Sequence, residues 1–203
     1  MVEEWTMQGK PALVLIHMQH AITDLEGKVA FLHAKATWES GIIPRQQALL
    51  AAFREKGLPV IYVVAKDPPT GKISPYGRFF QMLRKLPPSQ PDPKDSEVLS
   101  AVANLPGEPV IGNYIYGIFS GNTGGDLKEV LAQADAEVLV LCGVSTGAAV
   151  MIAAIQAADM FYPVIVPSDA SIDADQEIHN VVMNKIIAEM ALVTTADDVI
   201  AHL

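Results

Sequence analysis

Five short apolar runs punctuate the chain: ALVLI (12–16), PVIYVV (59–64), PVI (109–111), EVLVLC (137–142) and YPVIVP (162–167). Most are β-branched and nearly unbroken by polar residues, the pattern of parallel strands covered on both faces. Between them the spacing turns helical. IIPRQQALLAAFREKG (42–57) carries Pro44 near a helix start and Gly57 just past its end, and Leu49, Leu50 and Phe53 make its apolar face. LKEVLAQA (127–134) repeats the pattern more briefly. STGAAVMIAAIQAADM (145–160) is almost wholly apolar or small, which predicts a central helix with little exposed face. ADQEIHNVVMNKIIAEM (174–190) is amphipathic. LVTT and ADDVIAHL predict a short edge strand and a terminal turn of helix. Strand then helix, five or six times over, predicts one α/β domain across 1–203. It is expected to be a three-layer α/β/α sandwich around a mostly parallel sheet of about six strands, with right-handed crossovers.

In such sheets ligands gather beyond the C-terminal ends of the strands. His17 stands where the first run stops, Asn113 follows the third, and Gly143-Val144-Ser145-Thr146 follows the fourth, so residues far apart in sequence are expected to converge there. The segment 66–93 breaks the rhythm and holds half of the chain's 14 prolines. Its aromatic and basic stretch, YGRFFQMLRKL, reads as an ordered flap or short helix, or as cover for a sheet edge or a subunit contact. No repeat or linker divides the chain.

Composition narrows the classes. Half of the 203 residues are hydrophobic, enough for a full core. With 14 basic and 23 acidic residues the formal charge is −9, the wrong sign for a broad nucleic-acid footprint, so no nucleic-acid partner is expected. The one cysteine, Cys142, permits neither a disulfide framework nor a thiolate metal cluster and fits a reducing, cytoplasmic compartment. MVEEWTMQGK has two early acids and no apolar core, so it does not read as a signal peptide. No run approaches the roughly 18 apolar residues of a membrane span, and no membrane partner is expected.

Local motifs are sparse. A Walker phosphate loop is absent, and GNTGG (121–125) lacks the spacing of a dinucleotide fingerprint, so no cofactor is implied. GVSTG places Ser145 at a strand-to-helix turn without a nucleophile-elbow pattern, and Ser145 or Thr146 also reads as an ordinary N-cap. The five histidines, His17, His20, His33, His179 and His202, show no HxH or HExxH spacing, and KDPPT (66–70) offers only Asp67; no metal site is expected. His17 suits proton exchange near neutral pH, or else is a satisfied histidine in a packed pocket wall.

Four stretches carry a resemblance. ALVLIHMQHAI (12–22) is similar to an apolar first strand followed by Asp-x-Gln. PVIGNYIYGIFSGNTGGDLKEVL (109–131) is similar to a segment with a lysine, then aromatic and small residues. VLVLCGVSTGAAVMIAAIQAADMFYPVIVPSDAS (138–171) is similar to the surroundings of a nucleophilic cysteine, and HNVVMNKIIAEMALVTTADDVI (179–200) fits the corresponding tail. Through these motifs nearly the whole chain resembles the isochorismatase-like hydrolase superfamily, which includes nicotinamidases, carbamoylsarcosine-type amidohydrolases and isochorismatases. The resemblance implies a small-molecule ligand and a homo-oligomer, a dimer or tetramer, in which residues of 66–93 are candidates to complete a neighbouring copy's cleft.

Carried over residue by residue, the family's acid/base aspartate falls on His17, its lysine on Asn113, its nucleophilic cysteine on Ala149, and its cis peptide between Val144 and Ser145. Gln19 matches the pattern. Cys142 lies seven residues before Ala149, inside the strand, and is not the displaced nucleophile. Acyl-enzyme chemistry needs a thiolate and a base, and alanine supplies neither. The family's isochorismatases manage without the cysteine by protonating a vinyl ether from the aspartate, and that carboxylate is missing too. What the substitutions leave is His17 as general acid or base and Asn113 polarising a carbonyl or holding water. Backbone N–H groups near Ala149 would meet an oxyanion, with direct attack by water. The alternatives are an inactive protein that binds a metabolite or partner, and a structural oligomer whose basic flap grips a partner. The expected pocket wall is Gln19, Ile22, Trp38, Tyr114, Tyr116, Phe119, Ser145, Thr146 and Ala149, with aromatics holding a small, flat or apolar molecule. Trp38, Tyr116 and Phe119 equally suit a core or an interface.

Overall fold

The first apolar run builds β1 (Pro11–Ile16), the middle strand of the sheet; all six residues are buried, which is why it does not alternate. The computed structural model describes residues 5–66, 76–83, 85, 92–114 and 116–203. After β1 come the short helices α1 (His20–Thr23) and α2 (Ala34–Glu39), then α3 (Ile42–Glu55), β2 (Val60–Ala65), α4 (Arg78–Leu83), β3 (Val110–Asn113) and β4 (Asn122–Thr123). The second half holds α5 (Leu127–Gln133), β5 (Val138–Val144), α6 (Met151–Asp159), β6 (Val164–Pro167), β7 (Ser171–Ile172), α7 (Gln176–Val181), β8 (Leu192–Thr194) and α8 (Ala196–Ala201). A π-helical turn, Thr146–Val150, leads into α6.

The strand order is β4-β3-β2-β1-β5-β6-β8, with β7 paired to the end of β5. Every pairing is parallel except β3 with β4. The sheet therefore has eight strands rather than about six. The additions are β4 and β7, two residues each, too short to leave a hydrophobic period.

Two apolar layers enclose the sheet. On one face Ile16, Ile61, Val63, Ile111 and Leu141 meet α5 and α6. On the other, Leu13, Leu15, Tyr62, Val140 and Cys142 meet α3 and α8. Each fully buried aliphatic side chain stabilises the fold by roughly 1.5–3 kcal/mol relative to exposure. α3 ends as its sequence predicts. Gly57 has φ 64°, and the Leu58 N–H returns to the Phe53 carbonyl at 2.8 Å.

Within 66–93, helix α4 is described, while 67–75, 84 and 86–91, Asp67 among them, lie outside the described residues. The Phe79 ring of α4 stands 6.1 Å from that of Tyr116, so this part of the expected flap meets the loop after β3. Among the described residues no helix is long and apolar enough to cross a membrane.

Candidate functional site

The site begins where β1 and β5 end together. Gly143 has φ 131°, and a Cβ there would lie 2.1 Å from the Ile16 carbonyl oxygen. Only glycine permits that approach. It sets His17 beside the turn at Val144–Ser145, whose peptide is cis, where the resemblance places it.

His17 itself has φ 54°, and its N–H donates to the Val63 carbonyl at 2.7 Å. The side chain is half-buried, yet Nε2 is sealed from solvent and has no hydrogen-bond partner in the chain. Burial, helped by nearby His33, lowers its pKa to about 4, so the imidazole is neutral at pH 7. His33 precedes α2, and its carbonyl accepts both the N–H and the hydroxyl of Thr37 at 2.9 Å, which fixes its backbone. Its Nδ1 is likewise sealed and unpartnered. Burial lowers the His33 pKa, while the Asp173 carboxylate pulls the other way.

Asp173 follows β7. Its Oδ2 accepts the Gly147 N–H at 2.9 Å and its Oδ1 the Asp175 N–H at 3.3 Å. A Cβ at Gly147 would sit 2.5 Å from Ile178 Cγ2 and 3.0 Å from Asp173 Oδ2, so glycine lets carboxylate and α7 close on this turn. His179 of α7 meets the buried Thr146 hydroxyl through Nδ1 at 2.9 Å; burial lowers its pKa and Asp173 raises it. Asp173 and His179 thus flank the π turn that leads into α6. The sequence reading singled out only His17. Asp173 could have been suspected from its place beyond the sheet's C-terminal edge; no local spacing marks His33.

The other expected residues are placed differently. Asn113 is buried, and its Nδ2 donates to the carbonyls of Gly117 and Ser120, both at 2.9 Å. It braces its own loop. Gln19 is also buried: its Nε2 donates to the carbonyls of Ala65 (3.0 Å) and Asp95 (2.9 Å), and its Oε1 accepts the Ala65 N–H at 2.5 Å. This side chain ties the ends of β1 and β2 to residues 92–98. Ala149 is 3% exposed and shares the α6-side layer with Phe119, whereas Ile22 packs in the α3-side layer. The sheet separates them. Trp38 is 46% exposed and donates through Nε1 to the Thr23 carbonyl at 2.9 Å. Tyr114 is half-buried, and Tyr116 is exposed against Phe79.

Two expectations for the α6 turn meet these contacts. Ser145 occupies the N-cap position but makes no side-chain cap bond, and Thr146 is turned toward His179. Of the backbone amides near Ala149, that of Gly147 is taken by Asp173, and those of Ala148 and Val150 are taken by the Ser145 carbonyl at 3.2 and 3.1 Å. The π turn folds that carbonyl back onto them, leaving neither to receive an oxyanion.

Cys142 is fully buried in β5, and burial, with Asp169 nearby, pushes its thiol up to about 12. It stays protonated and is not a nucleophile. Among the described residues no three His, Cys, Asp or Glu side chains assemble as a metal ligand set. A groove of about 660 Å³ runs between Ser40–Arg45 and Ser168–Ile172. None of His17, Asn113 and Ala149 lines it; His179 does, which joins it to Thr146.

Comparison with known proteins matches residues 11–198 to the family model described as the Isochorismatase domain. The phenazine biosynthesis protein PhzD of Pseudomonas fluorescens is 29% identical over 114 residues, 56% of this chain and 54% of that protein. The match thus spans about half the length of that curated relative. Among solved structures, an isochorismatase family protein from Burkholderia thailandensis is 28% identical with a TM-score of 0.77, covering 98% of this chain and 97% of that one. A cysteine hydrolase from Pseudomonas syringae pv. phaseolicola shares the fold at 22% identity, with a TM-score of 0.76 and coverage of 100% and 98%.

Proposed function

The chain belongs to the isochorismatase family, and from that premise we propose that it acts on a small metabolite by non-covalent proton transfer at His17. The observation that carries this reading is the unpartnered Nε2 of the half-buried His17 ring at the sheet's C-terminal edge, sealed in the free protein so that a ligand reaches it by displacing a neighbouring side chain. A buried nitrogen without a partner costs about 1–3 kcal/mol. A ligand N–H or O–H that donates to it recovers that cost. The neutral ring accepts a hydrogen bond across the physiological range and takes a proton as the transition state develops. In hydrolysis of an amide, ester or lactone, water attacks the carbonyl carbon, Nε2 takes its proton, and the leaving group receives that proton as the tetrahedral adduct collapses. No acyl-enzyme enters. The protonated, buried Cys142 and the alanine at 149 support this absence.

The test is turnover of a panel of small amides, esters, lactones and vinyl ethers by the wild type and His17→Ala, with intact mass measured on quenched enzyme. Loss of about 10²–10⁴-fold in the variant and no adduct mass are expected. Unchanged turnover, or an acyl adduct, overturns the reading. A second reading, metabolite binding without turnover, is favoured by Asn113 and Gln19, whose amide groups are engaged by backbone. Thermal stabilisation by panel members that are not consumed selects it. Homo-oligomeric assembly and a cytoplasmic setting belong to the same proposal; light scattering on the purified protein tests the first.

A further inference from the structure

We infer that the groove of about 660 Å³ between the start of α3 and residues 168–172 binds a small neutral molecule with a carboxamide head and an apolar body, anchored by His179 and Ser171. The groove stands apart from the proposed function, since none of His17, Asn113 and Ala149 lines it. Its walls are fixed without a ligand. Gln46 of α3 donates through Nε2 to the Ala170 carbonyl at 2.8 Å, the Ser168 hydroxyl donates to the Thr194 carbonyl at 3.1 Å, and Asp169 Oδ1 accepts the Ala196 N–H at 2.7 Å. His179 lines the groove and is 8% exposed; the Thr146 hydroxyl meets its Nδ1 at 2.9 Å, which orients the ring and leaves Nε2 for an occupant. Ser171 is also buried, and its oxygen accepts the Gly143 N–H at 3.3 Å, so its hydroxyl hydrogen is left to donate. These two side chains hold the strand-end turn at Thr146 and Gly143, and an occupant that meets them rests against the back of that turn.

Charge decides the class of ligand. Arg45 lines the groove, but its Nε lies 3.4 Å from Asp169 Oδ2 and its Nη1 2.9 Å from Asp197 Oδ2. Two carboxylates beside one guanidinium leave an anion no net attraction. Asp169 is the acid that lines the groove, and both of its oxygens are already engaged, so a cation meets no unpaired carboxylate there. Burial lowers the His179 pKa, which keeps its ring neutral at pH 7. What the groove offers is therefore neutral: the Ser171 hydroxyl as donor, the Ser168 oxygen and Gln176 Oε1 as acceptors, and His179 Nε2 as either, according to its tautomer. A carboxamide carries a donor and an acceptor side by side and so suits both tautomers. Ile42, Pro44 and Ile172 give the apolar body its contacts.

The experiment titrates isotope-labelled protein at pH 7 with benzamide, benzoate and benzylammonium, three probes of similar shape and different charge, and follows the histidine ring and backbone amide resonances by NMR. Benzamide should shift the His179 ring signals saturably, half-maximally at roughly 1–10 mM, and both charged probes should bind at least about tenfold more weakly. Ser40→Trp sets an indole on the groove-lining position 40 and should abolish the benzamide shift. His179→Phe keeps a ring and removes both nitrogens; it should weaken benzamide by about tenfold, read from the amides of 168–172. Absence of a saturable shift, equal or tighter binding of either charged probe, or a shift that survives Ser40→Trp overturns the inference. If Ser40→Trp does not fold, unchanged benzamide affinity in His179→Phe overturns it instead. The titration reads no turnover, so its outcome and that of the His17→Ala test are independent.

Discussion

Replacing His17 with glycine is expected to make the protein more stable at pH 7 while removing the proposed proton acceptor. The backbone there sits at φ 54°, which costs a side-chain-bearing residue about 1–2 kcal/mol and glycine little. The sealed Nε2 costs about 1–3 kcal/mol more for want of a partner. Against these stand glycine's extra chain entropy, about 0.5–1 kcal/mol, and the packing lost with a half-buried ring, about 1–2 kcal/mol. The balance is a gain of about 1 kcal/mol, or about 2–4 °C in Tm for a chain of this length. His17→Ala keeps the backbone cost and loses the orphaned nitrogen together with the ring's packing, so it should lie between wild type and His17→Gly. Acid enlarges the gap. The folded ring stays neutral down to about pH 4, whereas an unfolded imidazole titrates near 6.5. In that window the unfolded chain binds more protons. The wild type is thus fully stable above about pH 6.5 and loses roughly 3 kcal/mol on the way to pH 4, a loss both variants escape. Urea denaturation followed by circular dichroism at pH 7, 6 and 5 measures all of this. If His17→Gly is less stable than His17→Ala, or the gap does not widen in acid, His17 is a well-packed wall residue and the reasoning fails.

Gly143→Ala should abolish stable folding: the new methyl meets a backbone oxygen at 2.1 Å and φ is 131°, together more than about 3 kcal/mol, read as lost soluble expression or a collapsed Tm. Gln19→Ala removes three hydrogen bonds to part-buried backbone and should cost about 3 kcal/mol in urea denaturation; a cost under about 1 kcal/mol contradicts the bracing role. Cys142 should resist iodoacetamide in the native protein and react fully in denaturant, and Cys142→Ala should leave turnover intact; rapid native alkylation would contradict a sealed, protonated thiol.

The central strands were legible because burial on both faces leaves an unmixed apolar run: β1, β2, β5 and β6 fall where the pattern places them. α1 and α2 were not, since helices of four and six residues complete too few turns to show a period. At the site, the strand-end position of His17 followed from the alternation of elements. Side-chain roles did not follow. Gln19 reads as a polar residue beside a cleft, but what it meets is the backbone of Ala65 and Asp95, 46 and 76 residues away. Asn113 was eligible as a donor to a ligand until the loop after it turned two carbonyls inward. His33 and Asp173 lie on irregular connections, where no period constrains position.

The close passage of β5 past Ile16 also bears on how this scaffold is re-engineered. With no room for even a methyl group between the two strand ends, the span from His17 to the start of α6 is a fixed length. A designer seeking a different ligand must leave that span alone and vary side chains elsewhere along the strand edge.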